Sequence, residues 1–105
     1  MTDSSTLRLE GDLTIYRADE IKRTLLNAVA GADATTVDLS GVSEIDTAGI
    51  QLLMLAKRQA RREGKSLGLA DHSPAVIEAF ELLNVAAWFD DPIIVGARPP
   101  EKELR

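Results

Sequence analysis

The stretch TVDLSGVSEIDTAGIQLL, residues 36–53, runs from a strand pattern into a helix pattern through Asp46-Thr47-Ala48-Gly49. Thr36–Leu39 is short and rich in β-branched residues, which predicts a strand. An apolar run begins at Ile50, and its spacing predicts a helix from about Thr47 to Glu63. A strand followed at once by a helix is the unit of α/β domains, so this stretch decides the fold class.

The upstream sequence predicts a hairpin and a helix. Thr6–Leu9 and Leu13–Ile15 read as short strands, and the intervening Gly11-Asp12 is a turn signal. Apolar residues then recur at helical spacing over Ala18–Ala30, until Gly31 ends the pattern. These elements extend the alternation of strands and helices toward the N-terminus.

The downstream sequence continues the alternation after Gly64. Ser66–Ala70 predicts a strand, and Ser73-Pro74 predicts a helix start, with Ser as the N-cap and Pro in the first helical position. Trp88-Phe89 is expected to close one edge of the core, and Pro92–Val95 to form a last short strand. The expected buried stripe of the last helix consists of Val76, Ile77, Phe80 and Leu83.

The whole pattern predicts one α/β domain over residues 1–95, with a mixed central sheet of about four to five strands and helices packed on it. A chain of 105 residues is long enough for a single core. The segment 96–105 contains two prolines and five charged residues, so we expect a mobile tail there.

Composition argues against several classes of site. The chain has no cysteine, which excludes disulfides and thiolate chemistry, and its one histidine, His72, cannot by itself form a zinc site. The net charge of −5 argues against general binding to nucleic acid or to anionic membranes. No apolar run approaches the ~20 residues of a membrane span, and Met1–Leu7 does not resemble a signal peptide. We therefore expect a cytoplasmic protein without membrane insertion, metal or cofactor.

Asp46–Gly49 has a purely structural interpretation and two weak chemical ones. Asp46 or Thr47 can cap the helix, an interaction that contributes about 1 kcal/mol. Thr47 as a nucleophile would need a base, and the only imidazole belongs to His72, which is expected to be a loop or capping residue. A phosphate-binding loop is not favoured either, because no glycine-rich phosphate motif occurs in the chain.

Phosphorylation of Thr47 is a stronger functional interpretation. A hydroxyl on the first turn of a helix is accessible and fixed in direction. A phosphate adds about −1.5 to −2 charges, here beside Asp46 and Glu44, and the helix N-terminus stabilises an anion by ~0.3–1 kcal/mol. The modification would then change binding to a partner without unfolding the domain.

A basic cluster follows at the end of the same helix. Lys57, Arg58, Arg61, Arg62 and Lys65 are five of the twelve basic residues. They suit a solvated helix C-terminus, whose dipole favours cations. A docking patch for an acidic partner is the alternative.

Three segments together resemble the STAS domain family (sulphate transporter and anti-sigma factor antagonist). They are LEGDLTIYRADEIKRTLL (9–26), TVDLSGVSEIDTAGIQLLMLAKRQARREG (36–64) and HSPAVIEAFELLNV (72–85). The second carries the most specific feature, Asp-Leu-Ser, a spacer, and then Asp-Thr-small-Gly entering an apolar helix. The resemblance spans roughly residues 6–95.

The resemblance implies a STAS-like fold and a non-enzymatic binding module. In anti-anti-sigma factors, a GHKL-type Ser/Thr kinase that is also the anti-sigma factor phosphorylates the residue after the Asp, and a phosphatase reverses this. Thr47 matches the phosphoacceptor, Asp46 the preceding acid, and Gly49 the glycine that would admit a partner backbone. The partner-binding residues implied in this way are Asp46, Thr47, Ala48, Gly49, Ile50 and Gln51.

The sequence also departs from the sigma-pathway pattern. Many members carry a second hydroxyl and a second glycine where this chain has Ala48 and Gln51, and Thr47 replaces the commoner Ser. A Thr at this position is similar to that of the small STAS subunit of phospholipid-transport ABC transporters, where it contacts an ATPase. STAS proteins of chemotaxis or two-component complexes look similar as well. A nucleotide-binding protein is a further alternative, although no base or phosphate motif supports it.

Overall fold

The computed structural model describes residues 3–89, apart from the side chains of residues 86 and 87. A 3-10 turn, Ile15–Arg17, separates the first strand from the first helix. The elements are, in chain order, β1 (Ser4–Leu13), α1 (Ala18–Ala30), β2 (Ala34–Ile45), α2 (Thr47–Arg62), β3 (Ser66–Ala70), α3 (Pro74–Leu83) and α4 (Ala86–Phe89).

The sheet of the described residues has three strands in the order β1-β2-β3, all parallel. The predicted α/β class is confirmed. The expectation of a mixed sheet of four to five strands is wrong for residues 3–89, and the predicted strand Pro92–Val95 and tail 96–105 lie outside the described residues. Parallel neighbours need a crossover, and α1 and α2 supply one each.

The predicted N-terminal hairpin is wrong, because β1 is one strand. It pairs with β2 in parallel from Ser4 to Leu13, with register shifts between Arg8 and Glu10 and between Gly11 and Asp12. Gly11 has a φ of +83°, a conformation that glycine adopts without strain. The glycine therefore accommodates an irregularity within the strand and does not reverse the chain.

The central strand, β2, is longer than predicted. It covers twelve residues, whereas the sequence pattern predicts only Thr36–Leu39. Val37, Leu39 and Val42 point into the core, while polar residues such as Asp38 and Ser40 alternate with them. The polar second half of the strand reads as loop in the sequence.

The helices follow their local signals closely. α1 has the predicted bounds and is followed by Gly31, and α2 begins at Thr47 as predicted. In α3, Ser73 Oγ accepts a hydrogen bond from the Val76 N–H, which confirms the predicted cap.

The core contains two of the four predicted stripe residues of the last helix, and a third, Ile77, is half-buried. Val76 and Phe80 are buried, but Leu83 is 48% exposed, so its predicted burial is wrong. The Phe89 ring stacks on Phe80 at a centroid distance of 5.2 Å. Trp88 remains partly exposed at the edge of this cluster.

Candidate functional site

The candidate site lies at the carboxyl ends of the two longest strands. Leu13 and Ile45 are register partners at the ends of β1 and β2, and α2 begins two residues after Ile45. β3 is shorter, and its last residue, Ala70, is the register partner of Asp38, seven residues before Ile45, so the edge at Asp46 is formed by β1 and β2. In open α/β sheets this edge is where ligands and partners are usually bound.

Asp46 ties three segments of the chain together at this edge. Its Oδ1 accepts a hydrogen bond from Gly49 N–H (3.0 Å), and its Oδ2 accepts one from Ile15 N–H (3.1 Å). Its own N–H donates to Leu13 O at 3.2 Å. Of the two candidate caps, Asp46 is therefore the one that caps α2, and it also fixes the start of the 3-10 turn.

Gly49 is required by a close approach within the chain. A Cβ at this position would overlap Leu13 O and would lie 2.9 Å from Ile45 Cγ1. The first turn of α2 therefore packs directly on the end of β1. The resemblance assigned this glycine to the approach of a partner backbone, but in the structure the backbone that approaches it belongs to β1.

The other predicted site residues divide into buried and accessible ones. Gly49 and Ile50 are buried, whereas Thr47 and Gln51 are exposed and Ala48 is half-buried. Within residues 3–89 the Thr47 hydroxyl makes no hydrogen bond. Thr47, Ala48 and Gln51 thus form the accessible part of the predicted set, and Gly49 and Ile50 support it from below.

Ile15 and Tyr16 are accessible apolar residues beside Asp46 that the sequence does not reveal. Their exposed fractions are 60% and 92%, the latter the largest among the exposed large hydrophobic residues of the described chain. The hydrogen bond to Asp46 places Ile15 next to the start of α2. The sequence predicts a strand over Leu13–Ile15, but Ile15 begins the 3-10 turn, so the prediction does not reveal the pair. Exposed apolar residues that lie together often mark binding surfaces.

Arg17 holds the 3-10 turn against β1. Its guanidinium donates to Glu10 O (3.0 Å) and Asp12 O (2.7 Å) and pairs with the Glu20 carboxylate at 3.3 Å. The Thr14 hydroxyl donates to Asp12 and is the main cause that lowers the pKa of the Asp12 carboxyl. These contacts hold in place the 3-10 turn that carries the exposed residues Ile15 and Tyr16.

No group of His, Cys, Asp and Glu side chains in residues 3–89 is arranged to hold a metal ion. His72 lies in the loop before α3, as predicted, and its buried ring packs edge-to-face on Phe80 at 5.6 Å. No helix in this part of the chain is long and apolar enough to cross a membrane.

Comparison with known proteins places this geometry in context. A family model described as "Mlab, STAS domain" matches residues 1–95. The fold resembles the anti-sigma factor antagonist SpoIIAA in its unphosphorylated form, with a TM-score of 0.68 and 18% identity over 99% of this chain and 88% of that chain.

Two further solved structures are similar. The Bacillus cell fate determinant SpoIIAA in its phosphorylated form has a TM-score of 0.63 and 16% identity, over 99% of this chain and 90% of that chain. A sulfate transporter family protein from Wolinella succinogenes has a TM-score of 0.67 and 16% identity, over 86% of this chain and 75% of that chain. At these identities the likeness shows a shared fold.

Proposed function

The chain belongs to the STAS domain family, and we propose that it is a non-enzymatic protein-binding module switched by phosphorylation of Thr47. The observation that carries the proposal is an exposed hydroxyl on the first turn of α2, free of structural hydrogen bonds within residues 3–89 and adjacent in sequence to Asp46. Asp46 is the N-cap of α2, so the Thr47 hydroxyl is not needed as a cap.

The docking surface in this proposal combines two features. Thr47, Ala48 and Gln51 contribute the accessible face of α2, and Ile15 and Tyr16 contribute apolar area beside it. We call these five residues the switch surface. A groove of about 410 Å³ beside Tyr16 extends the switch surface toward α1. A partner fitted to a neutral hydroxyl would bury the two apolar side chains with it.

A phosphate on Thr47 would repel such a partner by charge. It adds about −1.5 to −2 charges next to the Asp46 carboxylate, while the N-terminus of α2 stabilises an anion by ~0.3–1 kcal/mol. The SpoIIAA structures in both forms resemble this chain, which supports a phosphate that leaves the fold intact. The expected partners are a GHKL-type Ser/Thr kinase acting as anti-sigma factor, and a phosphatase.

The test uses Thr47→Ala and Thr47→Glu, with Thr36→Glu as the matched control. Thr36 is exposed on β2, ten residues before Asp46, or about 33 Å along an extended strand. Phosphate transfer from ATP by the cognate kinase should be lost in Thr47→Ala, and kinase affinity should fall at least roughly tenfold in Thr47→Glu but not in Thr36→Glu. Phosphate incorporation that persists in Thr47→Ala would refute the assignment.

A second candidate is a constitutive subunit of a phospholipid-transport ABC ATPase. The Thr at position 47 and the description of the matching family model, "Mlab, STAS domain", favour it over a chemotaxis or two-component complex. In this case Thr47 is a fixed contact. Thr47→Ala alone would then weaken assembly with the ATPase, and mass spectrometry of the native protein would find no phosphate.

A further inference from the structure

A basic surface lies at the end of α2 opposite to Thr47. Arg58, Arg61 and Arg62 are exposed, and their i, i+3 and i+4 spacing places them on neighbouring positions of one helix face. Arg61 lies about 21 Å along the helix from Thr47, at 1.5 Å per residue. With Trp88 these three residues form what we call the arginine–tryptophan surface.

Trp88 orders two of the three arginines. The Cζ atoms of Arg58 and Arg61 lie 5.9 and 5.7 Å from the centroid of the indole ring, within the range of cation–π contacts. The indole in turn packs edge-to-face on the buried Phe89 at 5.0 Å, and 36% of Trp88 remains exposed. Guanidinium groups held in this way lose less conformational entropy when a partner binds.

The positive charge of this surface is not neutralised by the described residues. Arg8, Arg17 and Lys65 all pair with carboxylates. Within residues 3–89 no carboxylate forms an ion pair with Arg58, Arg61 or Arg62. Three such cations in a chain of net charge −5 are a local excess that points to an acidic partner.

The two lysines of the basic cluster, unlike its three arginines, serve the packing of the fold. Lys57 is buried, and Lys65 Nζ donates to Val29 O and Ala30 O at 3.0 and 3.1 Å, at the C-terminal end of α1. The helix dipole accounts for cations near the end of α2, but it does not account for the stacking on Trp88.

We propose that the arginine–tryptophan surface docks an acidic segment of a partner protein, with carboxylates on the arginines and an apolar side chain against the indole. Arg and Trp are enriched at the energetic centres of protein interfaces. Nucleic acids and membranes are also anionic, but they are larger than the arginine–tryptophan surface and would contact the acidic residues around it. Screening confines the attraction to about 8–10 Å, and the rest of this acidic chain would repel an extended polyanion. This site is separate from the switch surface.

Trp88 is the only tryptophan in the chain, so its indole N–H resonance reports on this surface alone. A short peptide of glutamate and leucine, titrated into the ¹⁵N-labelled protein, should shift this resonance saturably at low salt, and binding should weaken at high salt. Arg61→Glu, and Arg62→Glu, which leaves the stacked pair intact, should each weaken binding roughly tenfold. Lys22→Glu, the matched charge change at an exposed site on α1, should alter binding less than about twofold.

Four results would overturn the proposal, and the first three concern the peptide and the competing anions. The Trp88 resonance could fail to move, Lys22→Glu could weaken binding as much as Arg62→Glu does, or phosphatidylglycerol vesicles or single-stranded DNA could bind more tightly than the peptide. Peptide binding by Thr47→Glu separates this surface from the proposed function. A loss confined to that variant would place the peptide on the switch surface and would also refute this assignment.

Discussion

Replacing Gly49 by alanine tests whether the junction between β1 and α2 is as close as the structure requires. The added Cβ would overlap Leu13 O and contact Ile45 Cγ1 at 2.9 Å. Leu13 O belongs to the backbone, so no side-chain rotation relieves the overlap. The first turn of α2 and the end of β1 must move apart.

The expected loss of stability follows from three effects. Overpacking costs about 1–3 kcal/mol. The separation also weakens the hydrogen bonds of Asp46 to Leu13 O and Ile15 N–H, each worth about 1 kcal/mol. Alanine recovers up to about 1 kcal/mol of helix propensity. The free energy of unfolding should therefore fall by about 2–3 kcal/mol, which corresponds to a decrease in Tm of roughly 10 °C or more.

Gly31→Ala is the matched control in urea unfolding experiments. Gly31 follows α1 with a φ of −91°, and an added Cβ would meet Asn27 O at an ordinary 3.5 Å. This variant should be neutral or more stable by about 0.4–1 kcal/mol. If Gly49→Ala lay within about 0.5 kcal/mol of Gly31→Ala, the close approach would not be a rigid feature of the fold.

Two further predictions concern carboxylates. Asp46→Ala should lower the free energy of unfolding by about 1–2 kcal/mol, because two N–H groups lose their acceptor. Asp46→Asn should lower it by about half as much, since the amide retains one carbonyl oxygen. Equal losses for the two variants in urea unfolding would contradict the division of the two hydrogen bonds between the two carboxylate oxygens. The Ser40 N–H holds the pKa of the Asp38 carboxyl below its usual value. The stability that Asp38 adds is therefore fully present above its unfolded pKa near 3.9 and is lost as the pH falls through the folded pKa, so the difference between wild type and Asp38→Asn should shrink in acid unfolding below about pH 4.

Elements with local signals could be predicted from the sequence. The spacing of α1, the strand β3 and the Ser73-Pro74 start of α3 each depend on neighbouring residues, and the structure confirms them. The continuity of β1 could not be predicted, because it depends on pairing with residues of β2 about 30 positions away. Locally, a glycine within an irregular strand has the same appearance as a glycine in a turn.

The candidate site shows the same division. Asp46–Gly49 stands out in the sequence because a strand pattern meets a helix pattern there. Ile15 and Tyr16 do not, because the contact that brings them to the site joins Ile15 to Asp46, 31 residues further on. Arg17, which braces them, acts through backbone oxygens that no sequence motif marks.

Asp46 and Thr47 are adjacent, but they are not equivalent targets for testing function. Asp46 caps α2, anchors the 3-10 turn and bonds to β1, so its loss changes both the stability of the domain and the presentation of Ile15. A weaker partner complex in an Asp46 variant would therefore not identify a direct contact. Thr47 is exposed and makes no hydrogen bond within residues 3–89, so its replacement should change the free energy of unfolding by less than about 0.5 kcal/mol. A loss of binding at unchanged stability can be assigned to the hydroxyl itself, which is why Thr47 variants discriminate between a phosphorylation switch and a fixed contact.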